Sequence, residues 1–371
     1  MPRTPVRLSV VVPCHNARAT LPHVLVALDA QDVPADTFEV VVVDDGSTDD
    51  SAAIAAAHGG PARVRLVTQP HRGLAAARNA GAAAARGEVL LFLDADVLAA
   101  PDLVRRHLAH HTDSRALLAV QGRTVPDAVT LATPFGRTSH RMPDRRGAPA
   151  DGLIPPTQGR SLSRDGPGRW HLGRRGRRLL SVRGLSPGGL SAVRGLSSVR
   201  GLSPLRVVGR HLSVTRAGHE AAGGFDERFQ GYGFEDVDYA LRFCRAGGRL
   251  VYDPGLVGVH SHPLTIEAAA ARQRQNGRAA VYLWRKHGGP AWLAFHLELH
   301  PVLLPLKWLV FRTRPVAVLV ERVRPWAERR QRWLILNECY NHLLWRGYYE
   351  GVFAALRQVA SSGDDEERPR W

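Results

Sequence analysis

Sulfur is scarce in this chain. Its 371 residues include three cysteines, Cys14, Cys244 and Cys339, and two methionines. The cysteines are far apart, odd in number and form no Cys-x-x-Cys pair, so neither a disulfide framework nor a thiolate metal site is expected. A reduced, cytoplasmic setting follows as the simplest expectation. Long apolar runs are also missing. No uninterrupted stretch reaches the ~18 residues that a membrane-spanning helix needs. The run 8–12 is too short for the apolar core of a signal peptide. No Gly-x-Gly-x-x-Gly turn follows the first strand. Pro13-Cys14-His15-Asn16 stands there instead, which excludes a dinucleotide-binding oxidoreductase. Negative charge is outweighed: 50 Lys and Arg against 34 Asp and Glu leave a formal charge of +16. Such a balance points to anions, whether nucleic acid, an acidic membrane surface or phosphorylated substrates. No motif interleaves aromatics with the arginines of 160–206, so no specific nucleic-acid partner is expected.

What is present begins as alternating strand and helix. Residues 8–12 form a buried-strand run, and a helix follows with Leu21, Leu25 and Leu28 on one face. A second strand covers 39–43 and ends in Asp44-Asp45-Gly46-Ser47-Thr48-Asp49. There Ser47 or Thr48 is placed to cap a helix that stops at Gly59-Gly60. A strand at 63–68, a small-residue helix at 74–85 and a strand at 88–93 complete the run. That last strand ends in Asp94-Ala95-Asp96. Near-continuous Val and Leu strands with helical crossovers predict a mostly parallel sheet sandwiched by helices. Ligands of such sheets bind beyond the carboxyl ends of the strands. Residues 13–16, Asp44-Asp45 and Asp94–Asp96 all sit at those ends and should share one crevice.

The pattern stops after Pro134. Residues 137–206 are rich in Arg, Gly, Ser and Pro and repeat a short phrase, Ser181-Val182-Arg183-Gly184-Leu185-Ser186, then 192–197 and 198–203. A period of about ten residues or fewer is too short for a helical solenoid. The segment therefore reads as a low-complexity insertion: a solvated loop, or an arginine clamp on an anion. Patterning returns with strands at 210–215, 249–252 and 256–260 and a helix at 265–287. From Trp292 onward apolar residues are broken by Pro and by charge. Arginines then interleave with Trp308, Trp326 and Trp333. Two readings stand for this basic helical end: a surface lying on anionic lipid, or a helical subdomain with ordinary basic faces. The expected divisions are 1–136, the insertion 137–206, 207–265, and a helical basic region 266–371.

Two acidic spots carry chemistry. Glu235-Asp236 follows a glycine-flanked turn and opens a helix expected over 236–246, with Val237, Ala240, Leu241 and Cys244 on one face. The helix dipole should hold first-turn carboxylates ionised. An ionised carboxylate beside glycines suits a general base. Asp94-x-Asp96 at a strand end offers oxygen ligands to a hard cation of the Mg2+ or Mn2+ type. His260 and His262 lie on one face of a strand, and either can complete such a site.

In order along the chain, 8–16, Asp44-Asp45-Gly46-Ser47, Ala77-Arg78-Asn79-x-Gly81, 87–96, 223–238 and His260 resemble the family 2 glycosyltransferases of the GT-A fold. The stretch 231–238 is similar to the corresponding loop of galactosyltransferase-like and chondroitin-polymerase-like enzymes. The resemblance covers about 7–125 and 207–265. It implies a GT-A type Rossmann-like sheet with a helical C-terminal extension. It also implies a metal-dependent, inverting transfer of a hexosyl or N-acetylhexosaminyl group from a nucleotide-diphospho-sugar, a UDP-sugar first. The acceptor would be a hydroxyl of a cell-envelope polysaccharide, glycolipid or other glycoconjugate. Pro13 and Asp45 would line the nucleotide pocket, with Arg78 and Asn79 near the nucleotide. Asp94 would meet the ribose side, Asp96 the metal on the diphosphate, and His260 that metal too. Asp236 would be the base and Glu235 would orient the acceptor. Mn2+ or Mg2+ is the expected cofactor. Peripheral contact with an anionic membrane, on the cytoplasmic face, is the expected location. Members often carry Asn where this chain has His211. The competing reading is a non-catalytic binder of sugar nucleotide, nucleic acid or membrane, against which both acidic motifs stand intact.

Overall fold

A computed structural model describes residues 6–141, 162–164, 170–172, 200–229 and 231–361. The repeats at 181–186 and 192–197, the arginines at 174–178 and the acidic tail at 364–367 lie outside these residues. The first elements are β1 (Leu8–Cys14), α1 (Leu21–Asp29), β2 (Phe38–Asp45), α2 (Ser51–Ala56), β3 (Val64–Gln69), α3 (Leu74–Ala84) and β4 (Val89–Leu93). After them come β5 (Val97–Ala99), α4 (Leu103–His110), β6 (Leu118–Pro126), α5 (Ala128–Ala132) and α6 (Pro134–Arg141). Three short strands follow: β7 (Leu162–Arg164), β8 (Trp170–Leu172) and β9 (Arg200–Gly201). Next are β10 (His211–Thr215), α7 (Arg216–Ala222), α8 (Glu235–Arg245) and β11 (Arg249–His260). The chain then turns helical: α9 (Ile266–Lys286), α10 (Ala291–His296), α11 (Leu304–Arg312), α12 (Arg314–Arg329) and α13 (Trp333–Ser361).

One curled sheet carries the order β3-β2-β1-β4-β10-β6-β11-β5, with β9 beside β11. β3, β2, β1 and β4 run parallel, as do β6 and β11. β2, β1 and β4 are apolar runs because both of their faces are covered, while β3, at the edge, is half-buried. Leu8, Val10 and Val12 pack under Leu21, Leu25 and Leu28 of α1. On the opposite face Val11, Leu90 and Phe92 meet Ala75 and Ala82 of α3 and Tyr239 and Phe243 of α8. Each such side chain contributes about 1.5–3 kcal/mol on leaving water. The fold is thus the mixed α/β, mostly parallel arrangement that the periodicity predicts.

Two local expectations differ, and the sequence leaves the direction of one strand open. β10 enters antiparallel between β4 and β6; a lone five-residue strand carries no signal of its direction. The two strands expected at 249–252 and 256–260 are one strand, β11. Its register with β6 shifts between Asp253 and Val257. Pro254 cannot donate to the ladder, so the chain loops out there and resumes. Asp253 accepts from Gly255 N at 2.8 Å, which closes the loop-out. Lastly, neither Ser47 nor Thr48 caps α2, whose N-cap is Asp50 and which ends at Ala56. Both are engaged by Asn16 instead. Asn16 N donates to Ser47 Oγ at 2.9 Å, and Thr48 N donates to Asn16 Oδ1 at 2.8 Å. Asn16 reaches them from the left-handed region, φ 52, which Asn tolerates better than most residues.

The loop before α8 is set by backbone that only certain residues adopt. Phe234, the N-cap of α8, has φ 65, and Gly233 has φ 109. A Cβ at Gly233 would also run into Asn276 Oδ1 of α9. Gln275 Oε1 accepts from Tyr232 N at 2.8 Å, so α9 holds this loop from below. The result aims Glu235 and Asp236, in the first turn of α8, toward the carboxyl ends of the central strands.

Candidate active site

Asp94 and Asp96 bound the turn between β4 and β5, closed by Val97 N donating to Asp94 O at 3.0 Å. β11 ends against the far side of that turn. His260 pairs with Val97 across the antiparallel β11–β5 ladder, and Ser261 N donates to Asp96 O at 2.9 Å. The strand loop-out at Pro254 thereby decides which residues face Asp96. His260 Nε2 lies 3.3 Å and His262 Nδ1 2.9 Å from Asp96 Oδ2. Their rings stack with centroids 5.2 Å apart. The structure brings both histidines to Asp96.

This trio has the donor atoms of a cation site: one carboxylate and two imidazoles within 4.8 Å of one another. Asp96 Oδ1 and His262 Nε2 are buried without a hydrogen-bond partner, which is costly unless something else satisfies them. Burial works against the charge of Asp96, but hydrogen bonds from His260 and His262 hold its carboxyl well below the usual range. Burial pushes the His260 imidazole down, against the pull of Asp96, and a neutral imidazole is the ligating form. Arg210 Nη1 stands 3.2 Å from His260 Nδ1. A guanidinium only donates, so Nδ1 accepts and the ring proton sits on Nε2, facing Asp96. A divalent ion entering here would replace that proton.

The second acidic spot is organised by Arg78. Its guanidinium is 2% exposed and bridges two segments far apart in sequence. Nη2 donates to Asp94 Oδ1 at 3.1 Å, and Nη1 donates to Glu235 Oε1 at 2.9 Å. Burial works against its charge, but Asp94, Glu235 and Asp236 together keep the guanidinium protonated. Phe225 lies under it, 5.3 Å from the ring centroid. Gly209 presses on its other side, where a Cβ would come within 2.8 Å of Nη1. Gly209 N also donates to Asp236 Oδ2 at 3.1 Å. The next residue, Arg210, accepts from Asp94 N through its carbonyl at 3.0 Å and reaches His260 through its side chain. One short segment therefore links Asp236, Asp94 and the Asp96 trio.

Asp236 departs from expectation. The helix dipole should favour its ionised form. Burial and the adjacent Glu235 carboxylate outweigh that, and with Arg78 only partly offsetting them its carboxyl is pushed up to about 7. Glu235 is buried, and its Oε1 is committed to Arg78.

Asp45, at the end of β2, accepts from Arg72 N and Gly73 N, both at 2.8 Å, and from Gln69 Nε2 at 2.7 Å. His71 Nδ1 is 2.9 Å from Asp45 Oδ2, the oxygen that also accepts from Gly73 N. His15 Nδ1 meets the Asp45 carbonyl oxygen at 2.8 Å, and the His15 and His71 rings lie 4.3 Å apart. Sequence reasoning did not single out His15 or His71; only the position of His15 just past a strand end hinted at it. Pro13 is buried inside β1, opposite Val43. Asn79 turns to the loop before α8. Its amide exchanges hydrogen bonds with the Phe225 backbone at 2.8 and 2.9 Å and donates to Glu227 Oε1 at 2.9 Å. His211 is buried, with Nε2 2.9 Å from His107 Nε2. It is part of an interior histidine group rather than of the Asp94–Asp96 turn.

Known proteins resemble this chain. Residues 9–161 match the family described as glycosyl transferase family 2. Over 341 residues the chain is 29% identical to validoxylamine A glucosyltransferase of Streptomyces hygroscopicus subsp. jinggangensis, covering 89% of this chain and 71% of that protein. Over 116 residues it is 40% identical to succinoglycan biosynthesis protein ExoO of Rhizobium meliloti, 31% of this chain and 32% of that one. Among solved structures, a mannosyltransferase from Pyrobaculum calidifontis in complex with GDP-Man and Mn2+ superposes with a TM-score of 0.52. Identity there is 18%, with 94% of this chain and 89% of that one covered.

Two stability predictions follow from these charges. Replacing Arg78 by Met strands several carboxylates and should cost about 3–5 kcal/mol in denaturant unfolding. The loss should be smaller at pH 5 than at pH 8, because proton uptake by Asp236 relieves the repulsion. Asp236→Asn should act oppositely. A folded-state value of about 7 against an unfolded value of ~3.9 means that the native state holds a proton the unfolded chain has lost. Wild-type stability then falls as pH rises from ~4 to ~7. The melting temperature of Asp236→Asn should gain on wild type across that window and stay ahead above it. A constant difference from pH 4 to 8 would show that Asp236 titrates normally.

Proposed function

We propose that this chain, a glycosyltransferase with a family 2 domain over residues 9–161, moves a hexosyl group from a nucleotide-diphospho-sugar to an acceptor hydroxyl, with a divalent cation and with inversion. The observation that carries the reading is the convergence of Asp96, His260 and His262 with Asp94, Arg78 and Asp236 through residues 209–210. Complexes of the Pyrobaculum enzyme with GDP-Man and Mn2+ and the likeness to a glucosyltransferase support the donor class. A UDP-sugar is our first candidate.

Asp96, His260 and His262 would hold the cation, Mn2+ ahead of Mg2+ because imidazole nitrogen supplies two of the three donors. A bound cation supplies charge neutralisation to the departing diphosphate. Asp45 and Pro13, at the ends of β2 and β1, are assigned to the nucleotide side, and Asp94 to the ribose side. Arg78 holds Asp94 and Glu235 in place, and Asn79 holds the Phe225 loop, so both position groups rather than meet the donor directly. Asp236 takes the acceptor proton. As its carboxylate accepts that proton, the acceptor oxygen forms its bond to the anomeric carbon. The bond from that carbon to the diphosphate oxygen breaks with its electron pair on the leaving group. A single displacement from the face opposite the diphosphate inverts the centre. A carboxyl group near pH 7 is matched to this task, being basic enough to take the proton yet ionised in a large fraction of molecules.

Asp236→Asn should lower transfer by about 10²–10⁴-fold while leaving donor and cation binding within a few-fold of wild type. The wild-type rate should climb with pH and level off above about 7, as the base ionises. Asp96→Ala and His262→Ala should each abolish Mn2+ binding measured by electron paramagnetic resonance. Mn2+ affinity should fall as pH drops, because the cation competes with the protons shared by the trio. A panel of nucleotide sugars tested for slow acceptor-free hydrolysis with Mn2+ identifies the donor. Full transfer by both Asp96→Ala and Asp236→Asn would end this reading.

A further inference from the structure

The apolar surface of this protein is concentrated in one place. Among the described residues, thirteen of the sixteen exposed large apolar side chains fall between 302 and 335; only Val26, Val129 and Leu131 lie elsewhere. Eleven of them belong to three consecutive helices that pack on one another, α11, α12 and the start of α13, and Val302 and Leu303 lead into α11. On α11, Leu306 and Leu309 are more than half exposed and sit three residues apart, on one face. On α12, Leu319 and Trp326 are seven apart, two turns along a single stripe, while Ala317, Val320 and Ala327 turn inward. Trp308, Trp326 and Trp333 are each a little under half exposed, one on each helix. A soluble surface rarely gathers this much apolar area without a partner.

Charge says which partner. Arg322, Arg329, Arg330 and Arg332 are exposed in the same span, whose one exposed carboxylate is Glu321. Half-buried tryptophans beside leucines with an arginine fringe match the boundary between lipid headgroups and acyl chains. A second copy of the chain fits poorly, since pairing two such faces would set arginine against arginine. Among the described residues no helix is long and apolar enough to cross a membrane, so the contact is one of lying on the bilayer. We propose that α11, α12 and the opening of α13 seat this enzyme peripherally on an anionic bilayer. The tryptophans and leucines enter the interface and the four arginines hold the headgroups. This does not rest on the sugar-transfer reading and is tested apart from it.

The full chain is floated with vesicles of phosphatidylcholine alone and of phosphatidylcholine mixed with phosphatidylglycerol. Partition into the anionic vesicles should exceed that into neutral ones by on the order of several hundredfold to a thousandfold, from about 1 kcal/mol for each of the four arginines near the surface. It should collapse at high salt. Arg329→Gln combined with Arg330→Gln and Arg332→Gln should lower it at least about tenfold. Leu306→Glu with Leu319→Glu should do the same with helix content unchanged by circular dichroism; should that pair fail to fold, the arginine variant and the salt series decide alone. Asp96→Ala, inactive on the proposal above, should float like wild type, which separates the two readings. Equal partition into neutral and anionic vesicles, or none into either, overturns the proposal. So does a stable dimer in sedimentation that Leu319→Glu splits while vesicle binding is absent, because the face would then be an interface between copies.

Discussion

The buried guanidinium of Arg78 is the constraint on which the rest of this site depends. It comes from α3 and bonds Asp94, at the end of β4, and Glu235, at the start of α8. These positions are far apart in sequence, and without a shared cation the two carboxylates could not lie so close together in a protein interior. That cation is buried. Phe225 closes one face, and Gly209, lacking a side chain, closes another. The same Gly209 donates its N–H to Asp236. The backbone that seals Arg78 therefore also places the carboxylate beside it. Asn79, one residue on, fixes Phe225 through its backbone. Two adjacent side chains on α3 thus set both the charge and the shape of the loop that carries Glu235 and Asp236.

The Asp96, His260 and His262 trio is arranged by a different device, the irregular end of β11. A regular strand would need no loop-out. Pro254 imposes one, Asp253 and Gly255 close it, and register with β6 resumes at Val257. The resumed strand brings His260 opposite Val97, next to Asp96. His262, beyond the last pair, turns back onto the same carboxylate. The interrupted ladder thus chooses which imidazoles meet Asp96.

Much of this was legible in the sequence, and what was not has physical reasons. The Val/Leu runs at β1, β2 and β4 and the leucine spacing of α1 report burial on both faces, so the layered sheet could be read directly. Asp94-x-Asp96 and Glu235-Asp236 were legible because a strand end and a helix start are local features. The convergence of His260 and His262 on one carboxylate was only half legible, because the expected strand alternation implies a common face, whereas β11 ends at His260 and His262 reaches Asp96 from beyond it. Direction of β10 was not legible, since antiparallel and parallel pairing depend on the route of the chain. Ser47 and Thr48 read as caps by type, yet Asn16, distant along the chain, takes them first. His15 and His71 met at Asp45 without any spacing to announce it.

The charge state of Asp236 was the least legible feature, and it is the one with most consequence. Local reasoning assigns a first-turn carboxylate to the positive end of the helix dipole, a stabilisation of roughly 0.3–1 kcal/mol. The tertiary environment opposes this with burial and with Glu235 next door, and it wins. At Asp96 the sign is reversed. There too burial opposes ionisation, but two imidazoles hydrogen-bond to the carboxylate and keep it charged. One fold thus drives two aspartates apart in proton affinity across a short stretch of backbone, 209–210, that touches both neighbourhoods. Carboxylates separated in this way are suited to different work, one to holding positive charge at all ordinary pH and the other to exchanging a proton near neutrality. The difference arises from which partners surround each group, imidazoles in one case and a second carboxylate in the other, and not from the aspartates themselves.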